Sequence, residues 1–310
     1  MSSIIQVNAL SKQFKTIKAV DNLSFTVQKG EVYGFLGQNG AGKSTTIRML
    51  LTLIKPTHGS IQMFGEDLQS HRSKILKRIG AIIEKPDLYK YLTALENLKL
   101  FARLSQVQLT THQLMRQLEV VGIAERATSK VKTFSQGMKQ RLGIACALVH
   151  DPELIILDEP TNGLDPQGIA DVRNLILHLS KNEGKTVVVS SHLLSEIELI
   201  ADSMLIINEG RKIAEGNVSE LLNPADIMVE LLTTDNIAAQ KKLQNSTWQK
   251  SLKTSNGKIL FSIHQHEIPV LVKALIAMDI EIMALQPKHS LEDYFLSLTT
   301  NHSHVAAYPH

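Results

Sequence analysis

The residues with the plainest chemical purpose are Gly37-Gln38-Asn39-Gly40-Ala41-Gly42-Lys43-Ser44-Thr45. Their spacing is G-x-x-x-x-G-K-[ST], that of a loop whose backbone N–H groups cradle di- and triphosphates. Gly37, Gly40 and Gly42 permit close backbone approach to an anion, with Asn39 and Ala41 between them. Lys43 is placed to give a point charge to the β- and γ-phosphates, and the Ser44 hydroxyl to ligate Mg2+. A helix beginning near Gly42 and taking in Ser44 and Thr45 would aim its N–H groups and dipole at the same phosphates. These types at this spacing predict nucleoside triphosphate binding.

Two carboxylates extend that chemistry. Asp158 and Glu159 close the run Glu153-Leu154-Ile155-Ile156-Leu157, too short for a helix and read as a central parallel strand. The carboxyl end of such a strand lies where α/β sheets bind ligands. Asp158 is therefore expected to hold Mg2+ through water, and Glu159 to polarise the attacking water as general base. Ser135, in Phe134-Ser135-Gln136-Gly137-Met138-Lys139-Gln140-Arg141-Leu142, is a good N-cap for an apolar helix running to Val149. That capped, glycine-adjacent start is a second anion site. Two phosphate-binding helix ends with one Lys-bearing loop suit a head-to-tail dimer, each helix end capping the triphosphate held by the other chain.

The elements that must position these groups are equally legible. Glu31 to Leu36 (EVYGFL) reads as a buried strand before the glycine loop, and Ser44 to Leu53 as the helix after it. The chain is long enough, at 310 residues, for two domains or one domain with an addition, and 43% hydrophobic content supports a sizeable core. A net charge of +3 is too small to imply a nucleic-acid partner. Cys146 is the sole cysteine and lies in IACALV, so it reads as a packed thiol; no disulfide framework or cysteine metal site is available, and a reducing cytoplasm fits. The N-terminus lacks the pattern of a signal peptide. No apolar run reaches the ~18 residues of a membrane span, so membrane association is expected to come through a partner. His264-x-His266 and His302-x-His304 lack a cysteine or carboxylate cluster and read as solvated.

This constellation resembles the nucleotide-binding subunit of an ATP-binding cassette (ABC) transporter, from Ser3 to about Leu222. The resemblance implies an α/β P-loop NTPase fold: a mostly parallel sheet core, an antiparallel β subdomain and an inserted α-helical subdomain at about 85–150. It also implies ATP as substrate, Mg2+ as cofactor and a homodimer of nucleotide-binding domains. Ser135, Gln136, Gly137 and Met138 resemble the family's signature loop, which caps ATP in trans. The usual pattern has two consecutive glycines there; Gln136 stands at the first and must find room at the dimer interface. Phe14 resembles the aromatic that stacks on adenine, the alternative being a core aromatic near the first strands. Asn162-Gly163-Leu164-Asp165-Pro166 resembles the loop after the catalytic glutamate, with Asp165 facing the partner protomer. His192, after a strand at Thr186–Ser190, resembles the switch histidine that contacts γ-phosphate. The main departure is Glu84, after a strand at Ile79–Ile83, where the family usually has a glutamine contacting Mg2+ and the membrane partner. A glutamate can still ligate Mg2+, but it adds negative charge near the triphosphate.

Helical periodicity at Leu95, Leu98, Phe101, Leu104 and at Leu114, Leu118, Val121 marks the inserted helical subdomain within Lys85 to Lys132. Tyr89, Tyr91 and Leu92 directly follow Glu84 and read either as ordinary packing or as a docking groove for a cytoplasmic helix of a membrane partner. Past a hairpin turn at Glu209-Gly210-Arg211 and a polar stretch at Gly216–Glu220, the character changes near Asn223-Pro224. Strand Ile227–Leu232, helix Asn236–Leu243, strands Trp248–Thr254 and Lys258–His264 about a Ser255-Asn256-Gly257 turn, helix Glu267–Met278 and strand Glu281–Leu285 follow. A last helix is expected at Ser290–Leu298. The order βαββαβ resembles a small ferredoxin-like α+β domain at 223–300, with a disordered tail at 301–310. Nothing in it looks catalytic.

The segments FSQGMKQRLGIA, IIEKPDLY, LTALENL, NGLDP and SLEDYF together resemble the ATPases of bacterial exporters for bacitracin and lantibiotic-type peptides, over nearly the whole chain. That implies an ATP-hydrolysing subunit powering export for resistance or immunity, driving a transmembrane permease from the cytoplasmic face of the membrane, with no nucleic-acid partner. Two other readings stay open. The same engine could serve a drug, lipid or polysaccharide; or the chain could be a soluble cassette ATPase acting on ribosomes or DNA. The last kind usually carries tandem cassettes or long coiled-coil insertions with basic linkers, and neither is present here.

Overall fold

The computed structural model describes residues 2–222, 227–255 and 258–288. The chain divides into two compact units, one of Met1–Asn217 and one beginning at Val218.

The first unit opens with two long strands, β1 (Ser3–Phe14) and β2 (Ile17–Gln28), and a fully buried strand, β3 (Val32–Leu36). After the glycine loop come α1 (Lys43–Leu50), β4 (His58–Met63), β5 (Glu66–Asp67), α2 (Arg72–Leu76) and β6 (Ile79–Ile82). The helical insertion holds α3 (Ala94–Leu104) and α4 (Thr111–Val120), and leads into α5 (Gln136–Leu148). Then follow β7 (Leu154–Leu157), α6 (Pro166–Lys181), β8 (Thr186–Ser191), α7 (Leu194–Glu198), β9 (Ser203–Asn208) and β10 (Arg211–Asn217).

These strands form two sheets. The larger has the order β10-β9-β3-β8-β7-β6, parallel from β9 to β6, with β10 added antiparallel. Strands β3, β7 and β8 are buried at every position, as parallel strands covered on both faces must be. The β9–β10 hairpin turns on Glu209 and Gly210, both at positive φ (48° and 75°), the geometry of a tight primed turn. The smaller sheet, β2-β1-β4-β5, is antiparallel. Phe25 from the smaller sheet meets Phe35 of β3 edge to face, ring centroids 5.0 Å apart, within one shared core.

Helix α1 stops at Leu50 rather than Leu53. Thr52 turns left-handed (φ 58°), the Leu53 N–H folds back to the Arg48 carbonyl at 2.9 Å, and Leu53 itself is exposed, so a further turn would bury nothing. In the insertion, Leu98, Leu114, Leu118 and Val121 are buried as their period requires. Leu104 is not: it falls in the last turn of α3 at 65% exposure, and the buried stripe runs through Ala102. Capping boxes Thr93/Glu96 and Thr110/Gln113 start α3 and α4. Two glycines bring α5 close to its neighbours. A Cβ at Gly80 of β6 would sit 2.3 Å from the Ala147 carbonyl oxygen, and one at Gly143 of α5 would sit 2.4 Å from Pro86 Cβ.

The second unit contains α8 (Val218–Leu222), β11 (Ile227–Thr233), α9 (Asn236–Gln244), β12 (Leu252–Ser255), β13 (Lys258–Ile263), α10 (Ile268–Ala277) and β14 (Ile282–Lys288). Its antiparallel sheet, β12-β13-β11-β14, has the strand order of a ferredoxin-like α+β domain. Val229, Leu231, Leu243, Phe261, Leu271 and Leu275 make its own core. Two local expectations shift. The polar Gly216–Glu220 stretch is the end of β10 followed by α8. Trp248 lies in a 3-10 turn (Thr247–Lys250) whose N–H at Trp248 is taken by the Ser246 hydroxyl, so β12 starts only at Leu252. Asn223-Pro224, Asn256-Gly257, the helix expected at Ser290–Leu298 and the 301–310 tail lie outside the described residues.

Candidate active site

The glycine loop leaves β3 at the carboxyl edge of the parallel sheet and returns as α1. Gly40 (φ 84°) and Gly42 (φ 107°) take conformations open to glycine, and a Cβ at Gly37 would strike the Ile207 carbonyl oxygen at 2.5 Å. The Gly37 N–H bonds the Ser191 carbonyl at 3.3 Å, which ties the loop to β8. Asn39 and Ala41 flank Gly40 in the loop, and Ser44 and Thr45 lie in the first turn of α1.

Lys43 is 5% exposed, and its ammonium is held by three oxygens: Gly37 O at 2.7 Å, Gln38 O at 3.2 Å and Glu159 Oε1 at 3.1 Å. The other Glu159 oxygen meets His192 Nδ1 at 2.8 Å. A carboxylate only accepts, so this bond sets the tautomer in which Nδ1–H donates. Lys43 and His192, expected to share one site with Glu159, thus each contact one of its oxygens. Glu159 stands at φ 50°, a left-handed conformation for a residue with a Cβ.

Asp158 is fully buried. The Ser190 hydroxyl donates to its Oδ1 at 2.6 Å and accepts the Glu159 N–H at 2.8 Å, while Oδ2 has no hydrogen-bond partner. Ser190 was not picked out by sequence reasoning, although its signal is visible: a serine ending an otherwise apolar buried strand needs a polar partner. Asn97 was missed likewise. Fully buried on α3, it holds the Tyr89 segment by accepting the Tyr89 N–H at 2.9 Å and donating to the Tyr89 carbonyl at 3.1 Å.

The remaining expected residues lie around this cluster. Phe14 ends β1 and is 44% exposed, with Lys12 Nζ 4.9 Å from its ring centroid, so the core-aromatic alternative fails. Ser135 caps α5, its hydroxyl accepting the Met138 N–H at 3.2 Å, with Gly137 buried in the first turn. Gln136 finds its room within its own chain: its amide donates to the Asn162 carbonyl at 3.3 Å and lies over Gly163. Asp165 N-caps α6, accepting the Gly168 N–H at 3.1 Å. Glu84 is 65% exposed, at φ 59°, and is ion-paired with Arg48, one turn beyond Ser44 on α1. Its negative charge is therefore partnered. Tyr89 and Tyr91 are exposed at 54% and 81%, and Leu92 is half-buried. Cys146 is buried, which pushes its thiol well above the usual range and leaves it inert. Among the described residues no group of three His, Cys, Asp or Glu could hold a metal by itself; the rings of His264 and His266 stack, and His302 and His304 lie outside those residues. No helix among them is long and apolar enough to cross a membrane.

Comparison with known proteins matches residues 20–162 to the ABC transporter family. The bacitracin transport ATP-binding protein BcrA of Bacillus licheniformis is 43% identical over 96% of this chain and 98% of its own length. The lantibiotic transport ATP-binding protein SrtF of Streptococcus pyogenes is 42% identical over 71% of this chain and 96% of its own. Among solved structures, a dimeric ATP-binding cassette in a post-hydrolysis state, bound to ADP and Pi, is 25% identical with a TM-score of 0.61, over 69% of this chain and 99% of that one.

Proposed function

We propose a function from a fixed premise: the chain belongs to the ABC transporter family and is an ATP-binding, ATP-hydrolysing subunit. On our reading it drives a permease that exports a peptide antibiotic of the bacitracin or lantibiotic kind, from the cytoplasmic face of the membrane, for resistance or immunity. The observation that carries the cargo is the end-to-end likeness to BcrA. What carries the chemistry is the Glu159 carboxylate, one oxygen on Lys43 and the other on His192.

The loop N–H groups and Lys43 bind the ATP phosphates, and phosphate oxygens compete with Glu159 for the ammonium. Glu159, released from that pair, accepts the proton of the attacking water, while His192 holds the carboxylate's other oxygen and borders the γ-phosphate. Asp158, with an unpartnered buried oxygen, and the Ser44 hydroxyl offer hard donors that suit Mg2+. Held by these residues, the ion would supply charge neutralisation for phosphoryl transfer. Glu84 is a further oxygen donor on the same side, since Arg48 and Ser44 stand one turn apart on α1.

In a head-to-tail homodimer, the Ser135-capped start of α5, with Gln136, Gly137 and Met138, would cap the partner's ATP, and Asp165 would border the same interface. Phe14, with an exposed ring face, would stack on the adenine. Tyr89 and Tyr91 beside the Glu84 loop would receive a cytoplasmic helix of the permease.

The test is a pair of measurements on Glu159→Gln, which removes the general base and should lower turnover by ~10²–10⁴-fold with ATP binding intact. Purified with ATP and Mg2+ from detergent-solubilised membranes of the native cell, it should bring down a multi-span membrane protein. Cells carrying it should lose tolerance to bacitracin or a lantibiotic. Unchanged turnover would overturn the catalytic assignment; recovery as a soluble dimer or with ribosomes, the exporter; unchanged tolerance, the cargo.

A further inference from the structure

Two adjacent serines end β8 and serve different partners. Ser190 is committed to Asp158 and to the Glu159 N–H. Ser191 Oγ donates to Glu196 Oε2 at 2.8 Å and accepts the Leu193 N–H at 2.9 Å. The same Glu196 oxygen accepts the Thr161 hydroxyl at 2.7 Å. Glu196 lies on α7, four residues past His192 in the chain, and Thr161 lies two residues past Glu159. One carboxylate oxygen therefore joins the segment that carries the histidine to the segment that follows the general base.

The second of these bonds bears on backbone conformation. Glu159 is held left-handed, which a side chain with a Cβ resists and which persists only where the surroundings over-determine it. On its amino side the chain is pinned by the Asp158 N–H to the Ile82 carbonyl at 2.9 Å and by the Glu159 N–H to Ser190. On its carboxyl side are two backbone turns, the Asn162 N–H to the Glu159 carbonyl at 3.2 Å and the Leu164 N–H to the Thr161 carbonyl at 3.1 Å, and one side-chain anchor on Thr161, the bond from its hydroxyl to Glu196. Freeing the Thr161 hydroxyl removes that anchor and leaves the turns alone to fix the segment that follows the Glu159 carboxylate.

We infer that Glu196 is a positioning residue for hydrolysis: gripping Thr161 and Ser191 together, it keeps Glu159 and His192 in mutual register. The inference rests on the assignment of Glu159 and His192 to the hydrolytic step. Glu196 touches neither of them and acts through its two hydroxyl partners. Both hydroxyls donate to a single oxygen, so a glutamine, whose carbonyl oxygen can accept both, should retain the grip that alanine loses.

The experiment is steady-state ATPase kinetics on the full-length chain. Glu196→Ala should lower kcat about 10-fold while KM for ATP stays within about 2-fold, and Glu196→Gln should recover most of the rate. Thr161→Val should lower kcat comparably by itself, yet by less than about 2-fold more in the Glu196→Ala background, because the two act through one bond. Should Glu196→Ala not fold, Thr161→Val decides by the same split between kcat and KM. An undiminished kcat, additive effects, or a loss of ATP affinity equal to the loss of rate each overturn the positioning role. Glu159→Gln, assayed alongside, separates the two levels. If it keeps full turnover the underlying assignment fails; if it is inactive while Glu196→Ala runs at full rate, only the positioning role falls.

Discussion

Lys43 meets its own chain's oxygens before any phosphate. With two carbonyls and Glu159 around it, it forms a buried ion pair that a nucleotide must partly replace. Removing the lysine deletes charge-assisted contacts to the phosphates, and we expect Lys43→Ala to weaken ATP binding ~10–150-fold, measured by calorimetric titration. The loop's role was legible because residue type and spacing alone specify it. The groups that brace the two carboxylates were less so. Ser190 carries the signal of a serine ending an apolar strand, but that it meets Asp158 depends on strands far apart in the chain. Thr161 and Glu196, which meet each other, are ordinary polar residues, and Glu196 on its short helix gives no signal apart from a solvated carboxylate. Phe14 was ambiguous in the sequence for a related reason: an aromatic at a strand end can face either way, and only the sheet decides.

Elements show the same division between local and non-local causes. Strands β3, β7 and β8 and the Ser135 cap could be read from runs of apolar residues and one hydroxyl. The end of α1 could not, because it depends on Leu53 finding nothing to pack against. The opposite edge of the parallel sheet carries a titration that no motif announced. Glu31, just before β3, is half-buried, and burial lifts its carboxyl above the ordinary value of 4.5, with the like charges of Asp202 and Glu215 adding to the rise, although the hydrogen bonds from the Gln28 N–H and the Ser203 hydroxyl oppose it. A raised folded value means that the native state holds the proton more tightly than the unfolded chain does. Its contribution to stability is therefore full below 4.5 and lost as pH rises through the raised folded value. Glu31→Gln cannot titrate, so its unfolding free energy, followed by urea denaturation at several pH values, should fall less steeply across that window than the parent's.

At the scale of the whole molecule, the two units have separate cores. SrtF matches 71% of this chain over 96% of its own length. The surface that should matter for coupling is in the first unit. Tyr91 is 81% exposed beside the Glu84 loop, so a charge there leaves the fold and the phosphate site alone. Tyr91→Glu should abolish antibiotic tolerance in cells while the purified chain keeps its basal ATPase rate within about 2-fold, as surface substitutions are energetically mild; joint loss of both would refute a docking role. How a push at that surface could reach the helix that starts at Ser135 follows from Gly143. With no side chain there, Pro86 rests directly on α5, and a single added carbon would collide at 2.4 Å. In a gear train this is absence of backlash. A proline has no rotamer that can swing its ring away and a glycine has no side chain to yield, so a small displacement of the loop would become a displacement of the helix instead of being lost in slack. A permease docked at Tyr91 would then need no large movement at its input, only a stiff one.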